Sequence, residues 1–463
     1  MPKDQKPDQG RSLAARIWSS VFRGPVIPGS DRDRKWIVFN TLVLHLRPIR
    51  VPASTIRYSH TFGLGGISLT LVALLMGTGA LLMLAYEPSP GGAHASILSL
   101  EIGVLFGRLV RSVHYWSANL VVVVVLLHLL RVFLTGAYRG PRQFNWIVGL
   151  SLLGCVLASN FTGYLLPWDQ RSYWAITIVT GMVEYVPVAG DWLQRVIRGG
   201  AEIGTSTIIT FYTLHTTLVP VGLIVLMALH FWRVRKAGGV VRPDPPDEPG
   251  ASRPDHVLFL PNLLVREVAA ALTLVAVVLV LAIAFPATLG DPANPGMSPN
   301  PAKAPWYFMG FQELLLHFDP VFAVVVIPLV VAVALVMLPY LRHDADLEGR
   351  WFLSDTGRRT AIAAAAVGLV AAPVWIVIDE YLVHSGDWLA GIPPVLSYGV
   401  VPGAILLGGV TGFYFFVKRR YGTADIESIQ AVFVLLVVVF AILTLTGVWF
   451  RGTGMVLTWP WNT

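Results

Sequence analysis

The sequence predicts an all-α polytopic membrane protein of about nine transmembrane helices, and three observations predict it. The 463 residues are 55% hydrophobic. Only 13% are charged, roughly half the about 25% of a soluble domain. The apolar residues gather into nine stretches, each near the about 20 residues a helix needs to cross a hydrocarbon core about 30 Å thick. A disordered, collagen-like or disulfide-built chain is excluded by the same composition. A single cysteine, Cys155, excludes an internal disulfide, a thiolate zinc cluster and a Cys-ligated iron–sulfur centre within this chain.

The elements follow in order. Residues 1–61 are polar and basic, end in an amphipathic approach to the membrane, and lack the short apolar core of a cleavable signal, so the first membrane segment is expected to direct its own insertion. Residues 62–236 hold four stretches, Phe62–Tyr86, Val113–Leu134, Asn145–Leu165 and Ile208–Trp232, predicted to form a four-helix bundle. Residues 237–257 are rich in Pro, Asp and Gly and read as a polar linker. Residues 258–342 hold two more stretches, Leu264–Phe285 and Val321–Tyr340. Residues 343–463 hold the last three, Ala361–Ile378, Leu396–Val417 and Ile429–Phe450. The loop from Pro167 to Thr207 contains Trp168, Trp174, Tyr185 and Trp192; so apolar a loop is expected on the membrane surface or lining a cavity.

Orientation comes from the basic residues. One side, with the N-terminal tail, carries about 27 of the 34 Lys and Arg residues, which places the N-terminus inside and, after nine crossings, the C-terminus outside. The net charge of +7 is therefore an orientation signal and calls for no nucleic-acid partner.

Four of the eleven histidines fall in two membrane segments: His114 and His128 in the second, His215 and His230 in the fourth. At about 100° and 1.5 Å per residue, steps of 14 and 15 both return close to the starting face, about 21 Å further along. Both segments run from outside to inside, so His114 can face His215 near the outer surface and His128 can face His230 near the inner one. Opposed imidazoles across a bundle suit a six-coordinate haem iron, and two levels predict two b-type haems with the four histidines as metal ligands. No Cys-x-x-Cys-His motif is present for covalent attachment. Gly65 and Gly79 in the first segment, and Gly149 and Gly163 in the third, repeat the 14-residue step and are expected to leave room for a porphyrin edge. Gly66, Gly77 and Gly154 read as helix-packing residues. Arg111 and Arg131, three residues from His114 and His128, are expected to reach haem propionates.

These residues carry a resemblance. Arg111-Ser-Val-His-Tyr-Trp, His128-x-x-Arg131, Thr162-Gly-Tyr-Leu-Leu-Pro-Trp-Asp169 and Phe211-Tyr-x-Leu-His215 resemble cytochrome b of the cytochrome bc family, and the 15-residue step from His215 to His230 looks like the branch that includes the plastid b/f complex. The resemblance is strong over the first four segments, extends to the second module, which is fused here, and is weaker over the last three, which look like an extension found in some bacterial members. It implies a subunit of a quinol:cytochrome c oxidoreductase in a bacterial cytoplasmic membrane. Such a subunit oxidises quinol near the outer surface and passes electrons through two haems to an inner quinone site. It also implies a Rieske iron–sulfur protein and a c-type cytochrome as partners, and a dimeric complex. Tyr164, Pro167, Trp168, Trp306 and Tyr307 match the outer quinol pocket; His45 and Arg57 lie on the approach to the inner one.

Two departures from the family pattern matter. Gly63 stands where the plastid branch has a cysteine, so no extra covalent haem is expected. The outer motif Pro-Glu-Trp-Tyr reads Ala304-Pro-Trp-Tyr307 here, so Pro305 occupies the place of the proton-accepting glutamate. Another group must then take that proton, or water must; Glu313 is the nearest downstream carboxylate and the first candidate, ahead of His317 and Asp319, its alternative being a capping or interface residue. A two-haem membrane anchor of another redox enzyme would use the same histidines, and a transporter without cofactor would use none of them.

Overall fold

The computed structural model describes residues 12–21, 50–243, 256–341, 349–383 and 391–462. Among them nine helices are long and apolar enough to cross a membrane. In chain order the helices are α1 (Leu64–Met83), α2 (Gly107–Leu134), α3 (Gly140–Leu165), α4 (Thr205–Lys236), α5 (Asn262–Ala284), the short α6 (Met309–His317), α7 (Phe322–Tyr340), α8 (Asp355–Val383), α9 (Val395–Tyr421) and α10 (Asp425–Trp449). The largest difference from the expected spans is that α2 and α8 begin several residues before their apolar runs. Each starts in charged sequence at the membrane boundary, where long basic side chains reach water while the backbone is already helical. Ser354 caps α8, its hydroxyl accepting the Gly357 N–H at 3.0 Å.

Helix α1 packs on α2, and α3 packs on α4. Leu71, Val72, Val113, Val121, Val122, Val156 and Leu223 meet at the centre of this bundle, and α5 adds Val278 and Ala282 from outside. In the second half, α8 and α9 lie against α10, as does the short α6. Faces that touch no other helix are apolar: Leu272, Val280, Ile283, Leu329 and Leu407 are all exposed. Water would not tolerate that surface; lipid does. A short antiparallel ribbon, Arg50–Pro52 against His256–Leu258, ties the approach to α1 to the approach to α5.

The loop between α3 and α4 folds into helices Gln170–Met182 and Gly190–Arg198. Ile176 joins Leu165, Trp168, Tyr173, Ile208 and Phe211 in one buried cluster over the outer end of the bundle. Asp169 organises this end: one carboxylate oxygen accepts the Ser172 N–H at 2.8 Å and the other accepts the Gly290 N–H at 2.9 Å.

The last three membrane helices are joined to the bundle at the end where α2 finishes. The final carbonyls of a helix lack intrahelical donors. At the end of α2 the Phe133 carbonyl accepts from Gln430 Nε2 at 2.8 Å, Leu134 from the Phe352 N–H at 2.9 Å and Thr135 from the Gly349 N–H at 2.9 Å. All three donors come from residues 343–463.

Candidate functional site

Helices α2 and α4 carry the four histidines. The 14-residue step in α2 is close to four α-helical turns. Helix α4 must cover 15 residues, and it contains one π turn, Leu214–Leu218, which includes His215. The wider turn takes up the extra residue and returns His230 to the face of His215. The periodicity argument did not find this π turn, since an insertion within a helix leaves no hydrophobic signature.

The rings face each other at two depths. The His114 and His215 centroids are 6.1 Å apart with ring planes at 70°. Those of His128 and His230 are 6.5 Å apart at 73°. A metal bound through nitrogen lies about 3.2 Å from the imidazole centroid, so two imidazoles sharing one ion from opposite sides stand about 6.4 Å apart. Both pairs match that separation.

The outer pair also has its tautomers set. The Thr78 hydroxyl donates to the Leu74 carbonyl at 2.6 Å, so its oxygen accepts from His114 Nδ1 at 2.9 Å. His215 Nδ1 donates to the Ser159 carbonyl at 2.9 Å. With Nδ1 protonated in both rings, Nε2 keeps its lone pair for a metal. Neither Thr78 nor Ser159 was singled out in the sequence.

The four glycines sit against the four histidines. A Cβ at Gly163 would fall 2.4 Å from His215 Cε1, one at Gly79 3.3 Å from His114 Cε1, and those at Gly65 and Gly149 3.7 Å from His128 and His230. At Gly66, Gly77 and Gly154 a Cβ would meet nothing within 4 Å. Gly63 adopts φ +64°, a left-handed conformation that a cysteine would enter only with strain.

Arg111 and Arg131, expected to reach propionates, are held by protein partners instead. Arg111 pairs with Glu101 and donates to the Ala287 and Thr288 carbonyls at 3.0 and 2.9 Å. Arg131 donates from Nε to the His60 carbonyl at 3.2 Å and places Nη2 3.2 Å from His60 Nε2. Both guanidiniums are buried, and a buried charge takes whatever acceptors its own chain offers. His60 is another residue the sequence did not single out. His45 lies outside the described residues, and Arg57 precedes the short helix Tyr58–Thr61.

Trp306 and Tyr307 pack onto the core of the bundle. Trp306 Nε1 donates to Asn119 Oδ1 at 2.7 Å. The Tyr307 ring stacks at a tilt on Phe308, 4.9 Å away, and Phe308 meets Phe161 of α3 edge-on at 5.9 Å. The Tyr307 hydroxyl is buried and has no hydrogen-bond partner among the described residues. Burial, with the neighbouring Tyr164 adding to it, pushes this hydroxyl well above the ordinary tyrosine range. Pro305 is extended (φ −54°, ψ 144°) and offers no carboxylate.

Glu313 lies on the opposite face of the same segment. It is fully buried, and Arg451 grips it from Nη2 at 2.6 Å and from Nε at 3.1 Å to each carboxylate oxygen. His317 bridges Glu313 at 3.3 Å and Asp379 at 2.6 Å. Burial pushes the Glu313 carboxyl up, but the bonds from His317 and Arg451 outweigh it and hold the group below the ordinary range. Glu313 was the first candidate for a proton acceptor facing the quinol. The structure commits it to Arg451 and turns it toward α10, because a carboxylate without water stays charged only beside a cation. Asp319 Oδ1 accepts the Val321 N–H at 3.0 Å, at the start of α7.

Comparison with known proteins agrees with this geometry. Residues 50–238 match the cytochrome b/b6/petB family. Cytochrome b6 of Tupiella akineta is 43% identical over 175 residues, covering 38% of this chain and 81% of the relative. Cytochrome b6 of Prochlorococcus marinus strain AS9601 is 42% identical over 175 residues, covering 38% and 80%. A solved structure described as hyperthermophilic respiratory Complex III shares the fold with a TM-score of 0.63 at 22% identity, over 85% of this chain and 98% of that one. The matched region holds all four histidines and all four facing glycines, and the chain belongs to the cytochrome b/b6 family of haem-carrying membrane electron-transport proteins.

Proposed function

We propose that this chain is the di-haem subunit of a quinol:cytochrome c oxidoreductase, with one b-type haem between His114 and His215 and a second between His128 and His230. The observation that carries the reading is the pair of facing imidazoles repeated at two depths, 6.1 and 6.5 Å apart. Bound there, haems would supply one-electron carriers at the two depths of the histidine pairs.

The chain's own residues supply the rest. Thr78 and Ser159 orient the outer ligands. Gly65, Gly79, Gly149 and Gly163 keep the slots open. Arg111 and Arg131, each within a turn of a ligand, bring positive charge to the outer and inner rims, where a cofactor's carboxylates would lie. Trp306, Tyr307 and Tyr164 wall an outer quinol pocket. Its aromatic faces suit a flat ring, and the unpartnered Tyr307 hydroxyl suits a quinol oxygen. With Pro305 in the motif and Glu313 engaged, the quinol proton passes to water or to a group brought by a partner. The inner quinone site lies at the His128 and His230 end, with the N-terminus on the cytoplasmic side of a bacterial membrane. A Rieske protein and a c-type cytochrome are the outer partners. The fold shared with a respiratory Complex III chain supports that assignment.

The test is one preparation. A dithionite-reduced spectrum should show two b-type components, the complex should reduce cytochrome c with quinol, and a Rieske protein should co-purify. A colourless protein would overturn the haem assignment. A molybdenum or nickel subunit in place of the Rieske protein would favour the two-haem anchor, the reading that Pro305 supports.

A further inference from the structure

We infer that the C-terminal three-helix extension is the back wall of the outer quinol pocket, and that Arg451 is its positioning residue. The inference rests on the proposed outer pocket and says what residues 343–463 do there. Trp306 and Tyr307 lie in the stretch from Asn300 to His317. That stretch faces the bundle on one side and the extension on the other. On the extension side it is fastened at several points.

Near its start, Asn300 Oδ1 accepts the Gly454 N–H at 2.6 Å, and Lys303 Nζ donates to the Val448 carbonyl at 3.0 Å. Along its middle α6 lies against α10 at a separation only glycine permits. A Cβ at Gly310 would fall 2.7 Å from Phe440 Cζ and from Thr444 Oγ1, and one at Gly447 would fall 2.8 Å from Met309 Cε. Phe311 and Phe440 meet edge-on beside them, their centroids 5.1 Å apart. At its end the charged cluster closes. Arg451 is completely buried and holds Glu313 of α6 on one side, and on the other it donates to Glu380 Oε2 at 2.8 Å and to the Met455 carbonyl at 3.0 Å. His317 ties the last turn of α6 to Asp379 of α8. A buried guanidinium with this many acceptors is a rigid joint. It draws its partners from three separate stretches of chain, one of which carries Trp306 and Tyr307.

Displacing a substrate-positioning element by about 1 Å costs on the order of 100-fold in rate. Loss of Arg451 frees α6 and leaves the buried Glu313 with only His317 beside it, so Trp306 and Phe308, on either side of Tyr307, lose their register with Asn119 and Phe161.

The experiment uses the intact complex and compares wild type with Arg451→Met, Arg451→Met/Glu313→Met and Glu380→Gln. Haem content is read from the dithionite spectrum. Outer-site kcat/KM is read with a short-chain quinol and cytochrome c. Inner-site function is read as haem reduction by the same quinol with the outer path blocked. The expected result for Arg451→Met is normal haem content and inner-site reduction with outer kcat/KM lowered about 10- to 100-fold. The double variant, which removes both buried charges and keeps their bulk, should recover part of that loss. Unchanged outer kinetics in an assembled Arg451→Met complex would overturn the inference. So would a fall in inner-site reduction equal to the outer one, which marks general destabilisation. If Arg451→Met does not assemble, Glu380→Gln decides, since it removes the charge of one Arg451 partner whose side chain is 23% exposed; it should lower outer kcat/KM several-fold, and wild-type kinetics would again overturn the inference. A wild-type complex that oxidises no quinol would instead refute the proposed function.

Discussion

Alanine at the four slot glycines should have graded effects that the distances order in advance. An ordinary carbon contact is about 3.5 Å. A Cβ at position 163, placed 2.4 Å from His215 Cε1, therefore asks the ring to retreat by about 1.1 Å. The retreat is opposed by the 2.9 Å bond from His215 Nδ1 to the Ser159 carbonyl. At position 79 the separation of 3.3 Å asks for about 0.2 Å. At 65 and 149 the 3.7 Å separations ask for nothing. Metal–ligand distances hold to about 0.2 Å, so Gly163→Ala exceeds the tolerance about five-fold while Gly79→Ala only reaches it. Gly163→Ala should lose the outer haem and keep the inner one, halving the reduced b-band amplitude per polypeptide. Gly79→Ala should bind the outer haem less tightly. Gly65→Ala and Gly149→Ala should displace no ligand. Full amplitude in Gly163→Ala would refute the reasoning. Equal loss in all four would show that crowding of the bound cofactor, and not displacement of histidine, is what glycine avoids.

Thr78→Val removes the acceptor for His114 Nδ1; second partners of metal-ligating histidines are typically worth 10- to 100-fold in affinity, so haem transfer from the outer site to apomyoglobin should quicken while the inner haem stays bound, and equal rates would dismiss Thr78 as an orienting group. His230→Leu should abolish the inner b component alone; loss of both components would show the two levels to be one cooperative site. Burial pushes the His317 imidazole down, but its bonds to Asp379 and Glu313 outweigh burial and raise it above its ordinary 6.5, so its contribution to stability is complete below that pH and is lost as pH rises through the raised value, while Arg451 stays charged. The unfolding temperature of the detergent-solubilised complex should therefore fall on the alkaline side, and His317→Gln should flatten that slope; an unaltered slope would remove His317 as its source.

The legible parts of this protein were those encoded in one dimension. Nine apolar runs were enough for the helices, and counting them was enough to run the second and the fourth in the same direction. Those directions paired His114 with His215 and His128 with His230, because both steps close on one helical face. The facing glycines were legible for the same reason. The π turn at Leu214–Leu218 was not, since an inserted residue changes hydrogen bonding and leaves the apolar pattern intact. The partners of Arg111 and Arg131 were also hidden. Each arginine lies within a turn of a histidine, yet Glu101 and His60 come from short helices and Ala287 and Thr288 from a connecting segment, and no periodicity encodes the placement of any of them. The outer helices of the loop after α3 were anticipated only as an apolar surface segment, although Asp169-Gln-Arg-Ser172 carries the capping pair that starts the first of them.

Glu313 illustrates the limit most clearly, and it also constrains the chemistry. It stood out in the sequence as the carboxylate nearest to a motif that had lost its own. Its role depends on Arg451, 138 residues further on, and a pairing at that distance has no local signature. Once the pair is seen, the proposed outer pocket is left with aromatic walls, a tyrosine hydroxyl that burial keeps protonated, and no free base within the motif. Proton release should then follow a titration brought by water or by the partner that accepts the electron. The pH profile of quinol oxidation should accordingly move when the outer partner is exchanged and stay in place in Glu313→Gln, even where that substitution lowers the rate. A profile that tracks Glu313 and ignores the partner would return the carboxylate to the role its position in the sequence first suggested.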